Sequence, residues 1–252
     1  MANNWQDDEL LLTLHLYCRT PFGKLHQTNP DIIHLANIIG RTPSAVAMKA
    51  CNFASLDPAL SQKGLQGASK ADRALWNEFI NYSTAIAEKA EELYETRVEN
   101  YVSPTISIDA PVIFPTGETE SLREVKIRRV QRFFRQTVLE SYNNRCAISG
   151  LAIPELLVAS HIIPWAKDES RRADPTNGIS LNALYDKAFD RGLITFDNDL
   201  RLNLSNVIKS ENRNEFVKRH FIDLEGKYLE LPYRFTLDNN AISYHRDNIF
   251  LS

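Results

Sequence analysis

The apolar residues of this chain recur at helical spacing along its first half and fall into short alternating runs along its second. Leu10, Leu11, Leu14 and Tyr17 follow the acidic pair Asp7 and Asp8, which predicts a first helix. Asn29 and Pro30 read as cap and first position of a second helix that carries Ile32, Ile33, Leu35, Ala36, Ile38 and Ile39 and stops at Gly40. Thr42 and Pro43 open a third, with Val46, Met48, Ala50 and Phe53. Residues 57–69, rich in Pro, Ser, Gly and Gln, read as a linker. Lys70 to Val98 reads as one long helix carrying Leu75, Trp76, Phe79, Ile86, Leu93 and Tyr94, suited to packing or to pairing subunits. Prolines 104, 111 and 115 mark an extended connector with a short strand at Thr105–Ile108, and Leu122 to Tyr142 is a further helix.

The pattern then changes. Leu156 to Ala159 is a short buried strand stopped by Pro164, so His161 sits where strand opens into loop. Asn177-Gly178 is a turn signal, and Ile179 to Leu181 pairs back as a second strand. The stretch Asn182 to Arg191 has helical spacing with Leu184, Ala188 and Phe189 on one face, and Gly192 is its stop. Leu193, Thr195, Leu200, Leu202 and Leu204 predict a hairpin turned at Asp197-Asn198-Asp199, and Leu231 to Leu237 an edge strand. The expected architecture is α+β in three segments: a tri-helical domain over 1–60, a long helix with connector over 61–118, and a mixed domain over 119–252.

Composition narrows the function classes. With 252 residues, 43% hydrophobic and 24% charged, the chain is an ordinary globular one, and its net charge of −3 excludes a protein that coats nucleic acid through a global positive field. Cys18, Cys51 and Cys146 form no Cys-x-x-Cys pair, which speaks for a reduced setting and against a zinc knuckle. The start lacks the basic and apolar regions of a signal peptide, and no run reaches the ~18 apolar residues of a membrane span. A cytoplasmic protein without a membrane partner is expected.

The chemistry concentrates between residues 160 and 192. Cutting a phosphodiester needs a base for water, a cation for the scissile phosphate and a rigid frame. His161 is the candidate base, because an imidazole is largely neutral yet basic at cellular pH. Asp186 and Asp190, four residues apart on a helix, project from one side. This series of Ser-His-Ile-Ile-Pro-Trp, Asn-Gly and Phe-Asp-Arg-Gly resembles the HNH, or ββα-metal, nuclease superfamily, particularly its branch of restriction endonucleases, over Cys146 to Asp197. The resemblance implies a C-terminal ββα-metal domain in which His161 is the general base and Asn177 the middle asparagine, fixing the loop or the histidine's second nitrogen. Asp186 falls where many members have a metal-binding histidine, and Ser160 where many have a second, aspartate ligand. Carboxylate oxygen is harder than imidazole and favours Mg²⁺ or Mn²⁺ over Zn²⁺, other divalent transition metals being further candidates. Asp190 and His161 itself remain candidates for the second ligand.

The implied substrate is double-stranded DNA, and double-strand cleavage from one site per chain points to a homodimer. Nucleic-acid contacts are expected from Arg129 and Arg132, in a window where seven basic residues face only Glu124 and Glu140, and from Lys187 and Arg191 beside the carboxylates. The first sixty residues resemble a Myb/SANT-like or helix-turn-helix module, which would place Arg41 and Lys49, with Ser44 and Asn52, toward a groove. Two other readings compete: a non-catalytic DNA-binding or regulatory protein on the same scaffold, and a toxin nuclease.

Overall fold

The structure, a computed structural model of the chain, describes residues 4–60, 67–101 and 120–252. The strand expected at 105–108 and the middle of the linker lie outside them. Contacts divide the chain into two units, Met1–Leu56 with Gln62–Phe133, and Asp57–Ser61 with Phe134–Ser252.

The first unit is helical: α1 (Asp7–Arg19), α2 (Pro30–Ile39), α3 (Pro43–Ala54), α4 (Lys70–Asn81), α5 (Ser83–Asn100) and the larger part of α6 (Glu120–Ser141). The caps are those read from sequence. Asn29 accepts from Asp31 N, Thr42 accepts from Ala45 N, and Gly40 closes α2 in the left-handed conformation at φ 68°. Two expectations change. Lys70 to Val98 is two helices, because Tyr82 adopts a non-helical conformation (φ −135°, ψ 45°) that ends α4 and lets α5 pack against it. And α1 is buried without interruption from Leu10 to Cys18, so it is the enclosed axis of the unit rather than one face of a three-helix module. Leu93 and Tyr94 of α5 complete the apolar cluster of Leu12, Leu16, Ile32, Leu35 and Val46.

The second unit contains the predicted strand, strand, helix order. β1 (Leu157–His161) and β2 (Gly178–Asn182) pair antiparallel, with Leu157 opposite Asn182 and His161 opposite Gly178. α7 (Ala183–Asp190) follows directly, capped by Asn182, whose Oδ1 accepts from Tyr185 N at 3.0 Å. β3 (Ile194–Phe196) and β4 (Leu202–Leu204) form the expected second hairpin, turned where Asp197 Oδ1 accepts from the amides of Asp199 and Arg201. α8 (Asn206–Ser210), α9 (Glu215–His220) and α10 (Asn239–Asn248) complete it. The edge strand expected at 231–237 does not form: Pro232 has no amide to donate and Phe235 sits at φ +53°, so this stretch runs irregularly. On α7 the buried face is Tyr185, Ala188 and Phe189, while Leu184 is 39% exposed.

Asn177-Gly178 is not a hairpin turn. Gly178 is extended (φ −127°, ψ 141°), and residues 162–177 between the strands carry two 3-10 turns. The glycine is required by packing: a β-carbon there would lie 2.4 Å from Val138 Cγ2 and 2.9 Å from Phe134 Cζ, both on α6. That close approach joins α6 to the hairpin in one core with Leu139, Ile162, Ile179, Leu181 and Phe189. Gly178→Ala is therefore expected to lower unfolding free energy by about 1–3 kcal/mol, as overpacking does. Adding Val138→Ala in the same chain should recover part of it, and urea denaturation of the two variants checks both signs.

Candidate active site at the end of the hairpin

His161 is the last residue of β1, and three contacts orient its ring. Phe134 stacks on one face with centroids 3.7 Å apart and planes 13° from parallel. Trp165 meets it edge-on at 5.6 Å. Nε2 bonds the main-chain carbonyl of Arg172 at 3.0 Å. A carbonyl only accepts, so Nε2 carries the proton and Nδ1 presents the lone pair. Burial holds the imidazole below its usual pKa, against smaller upward effects of the Arg172 carbonyl and of Asp174. At neutral pH the ring is thus an uncharged acceptor in a fixed tautomer.

Asn177 is fully buried and does not touch the imidazole. Its Oδ1 accepts from Ile163 N at 2.8 Å, its Nδ2 donates to Ile163 O at 3.1 Å, and its own carbonyl accepts from Ile162 N. Of the two tasks open to it from sequence, the geometry shows the first: it staples the chain just after the histidine. Farther along the connection, Arg171 bridges Asp174 and Asp238 at 2.8 Å each, and Asp174 Oδ1 accepts from Thr176. The carbonyl of Arg172 is thereby held in a braced loop.

Asp186 and Asp190 face the same side of α7 and feel one another. Burial raises both carboxyls above the ordinary value, and for Asp190 the charge of Asp186 adds to the rise. Ser160 Oγ approaches Asp186 closely enough to draw its pKa down, yet makes no hydrogen bond of regular geometry and is buried. Lys187 and Arg191 are exposed beside the pair, lower these pKa values, and form no ion pair among the described residues.

The end of α7 is gripped from the C-terminal segment. His245 stacks on Phe189 at 3.6 Å and 3°, donates from Nε2 to Phe189 O at 3.0 Å and accepts at Nδ1 from Thr195. Gly192, at φ +67°, lies against the chain so closely that a β-carbon would sit 2.0 Å from Ile249 O. The backbone of Leu251 donates to Gly192 O.

The other four expected nucleic-acid contacts are occupied. Arg129 pairs with Glu92 and Glu95, and Arg132 with Glu91 and Glu95, all on α5. Lys126 and Arg128 are likewise bridged, to Glu88 and Glu124. Three cations of the window thus pair across to α5, Arg128 pairs within α6, and Arg135 donates to the carbonyls of Leu157 and Pro154. Arg41 makes a bidentate pair with Glu9 and lies over Trp5. Lys49 is buried against Asp72 of α4 at 2.8 Å, and Asn52 is covered as well. The α3 face that would read a groove packs inside its own unit.

Residues 146–197 match the family model described as HNH endonuclease. The C-terminal half thus contains an HNH endonuclease domain, spanning the hairpin and α7. No curated protein matches the chain. HNH nucleases generally use a divalent metal ion. The residues of α7 and the neighbouring strand fit one: two carboxylates with raised pKa values, and the buried Ser160 hydroxyl beside Asp186, offer hard oxygen donors. Among the described residues no three His, Cys, Asp or Glu side chains cluster as ligands, so His161 does not join Asp186 and Asp190 in one ligand set. No helix among the described residues is long and apolar enough to cross a membrane.

Two outcomes are expected. Neutralising one carboxylate relieves the repulsion, so Asp190→Asn in chelator should melt no lower than the parent chain, while the rise in melting temperature brought by millimolar Mn²⁺ should shrink; differential scanning fluorimetry reads both. His245 is held down to about 4 chiefly by burial. Its native pKa lies below its unfolded one, so the unfolded state binds the extra proton as pH falls from about 6.5 toward 4, and stability drops by about 1.4 kcal/mol per pH unit in that window. Urea midpoints from pH 7 to 4.5 should therefore fall more steeply for the parent chain than for His245→Gln.

Proposed function

We propose that the protein is a divalent-metal-dependent endonuclease that hydrolyses phosphodiester bonds in double-stranded DNA, with a restriction or defence role. The observation that carries this reading is His161 at the end of β1, its tautomer fixed with the lone pair on Nδ1, while Ser160 stands beside Asp186 of α7. Asp186, Asp190 and Ser160 Oγ would hold Mg²⁺ or Mn²⁺. When bound, the ion neutralises the scissile phosphate and the departing 3′ oxygen.

The protein's own part is proton transfer and positioning. Nδ1 of His161 takes a proton from the attacking water as its oxygen bonds to phosphorus, and the bond from phosphorus to the 3′ oxygen breaks. The lowered pKa keeps the imidazole free to accept, and the Arg172 carbonyl supports the positive charge that appears on the ring. Phe134 and Trp165 keep the ring from swinging. Asn177 positions the loop, and Lys187 and Arg191 steer phosphate toward the two aspartates.

The absence of a third acidic or imidazole ligand among the described residues favours one rival, a non-catalytic DNA-binding protein on this scaffold. Plasmid nicking with Mg²⁺ or Mn²⁺ against EDTA separates the two. His161→Ala should lower cleavage by about 10²–10⁴ with folding and DNA affinity nearly intact. Asp186→Ala should abolish metal-dependent nicking and weaken Mn²⁺ binding in calorimetry. Full cleavage by the histidine variant would remove His161 from the mechanism, and a parent chain silent with every metal would favour the rival.

A further inference from the structure

Four cations of α6, Lys126, Arg128, Arg129 and Arg132, are matched by carboxylates, which directs the search for a surface that holds a polyanion to other elements as well. We infer that the last turn of α9, Lys218-Arg219-His220 with Phe216 beside it, grips the phosphate backbone of the DNA next to the cleavage site. The inference deepens the nuclease reading and rests on it.

Lys218 and Arg219 are exposed, and among the described residues neither has an ion-pair partner. Glu215, one turn back on the same helix, and Asp223, four residues after Arg219, are the neighbouring acids along the chain, and neither forms an ion pair with these cations among the described residues. The cations sit at the C-terminal end of α9, where helix carbonyls favour positive charge and hold it at the surface. Phe216 is 54% exposed, and its ring rests on His220 with centroids 4.5 Å apart. An exposed aromatic ring next to unpaired cations suits a nucleic acid, whose sugars and bases pack on the ring while its phosphates take the charges. An acidic protein would use the cations and leave the ring in water.

The placement follows from α7. Tyr185 OH donates to His220 O at 2.9 Å, and its ring meets Phe221 edge-on at 5.7 Å. Tyr185 immediately precedes Asp186, so the cationic turn is tied to the first turn of the helix that carries the carboxylates. A backbone gripped on α9 is held at a fixed offset from that pair.

The test measures binding of a labelled 20-base-pair duplex by fluorescence anisotropy across KCl concentrations, in a His161→Ala background to stop turnover. The double reversal Lys218→Glu/Arg219→Glu should weaken binding about tenfold or more and flatten the salt dependence by about two released counterions. Phe216→Ala should weaken binding several-fold with the salt dependence unchanged. All three positions are exposed, and unchanged thermal midpoints would show that the fold persists. Unchanged affinity and salt dependence in the double reversal overturns the assignment, as does tighter binding of duplex RNA than of DNA at this surface. If the double reversal abolishes binding but the parent chain nicks nothing with Mn²⁺, the gripping surface stands and the hydrolytic reading falls. If the parent chain nicks and the reversal is without effect, the converse holds.

Discussion

The ring of Phe134 sets the geometry on which the active end of this protein depends. One of its faces lies flat on the imidazole of His161, and its edge, with Val138, occupies the space a β-carbon at position 178 would need. A single aromatic side chain from α6 therefore fixes the plane of the base and the register neighbour of that base, since His161 pairs with Gly178. It also supplies much of the burial that keeps the imidazole uncharged. Stability and reactivity are joined here: loosening the packing would let the ring rotate and hydrate, and a hydrated ring would recover its ordinary basicity.

The opposite side of the site is α7, only eight residues long, and helices this short are marginal on their own. Its two ends are therefore held by tertiary contacts. Asn182 caps the start and Tyr185 reaches the carbonyl of His220. At the other end His245 adds a hydrogen bond to the carbonyl of Phe189, which also accepts from Gly192 N, and the backbone of Leu251 closes on Gly192. Two carboxylates that repel each other project from between these anchors. The anchoring offsets that repulsion and keeps the spacing of the pair from relaxing.

What could be read from the sequence follows from which physics is local. Caps, periodicity and the strand, strand, helix order depend on neighbours within a few residues, and β1, β2 and α7 appear where the pattern put them. The choice of Leu184 over Tyr185 for the buried face failed because a short helix has two plausible faces a single residue apart, and only the surrounding core decides. Gly178 looked like a turn because Asn-Gly is one in most contexts; the side chains that require it lie some forty residues earlier in the chain. The basic window of α6 looked available because Glu91 and Glu95, which neutralise it, are similarly remote. The partner of His161 Nε2 was invisible for a simpler reason: it is a main-chain carbonyl, which every residue type carries.

The electrostatics then order the events on the proposed reading. The site itself presents two carboxylates at partly desolvated positions, an arrangement that disfavours an approaching phosphate. Lys187 and Arg191 moderate this field from exposed positions where water and salt screen them. A divalent cation reverses its sign locally, so substrate entry and the capacity to cut arise from the same binding event. A protein of net charge −3 with such a centre needs no global attraction for DNA. On that reading, cations set to one side of the carboxylates would be enough to keep the polyanion near the site.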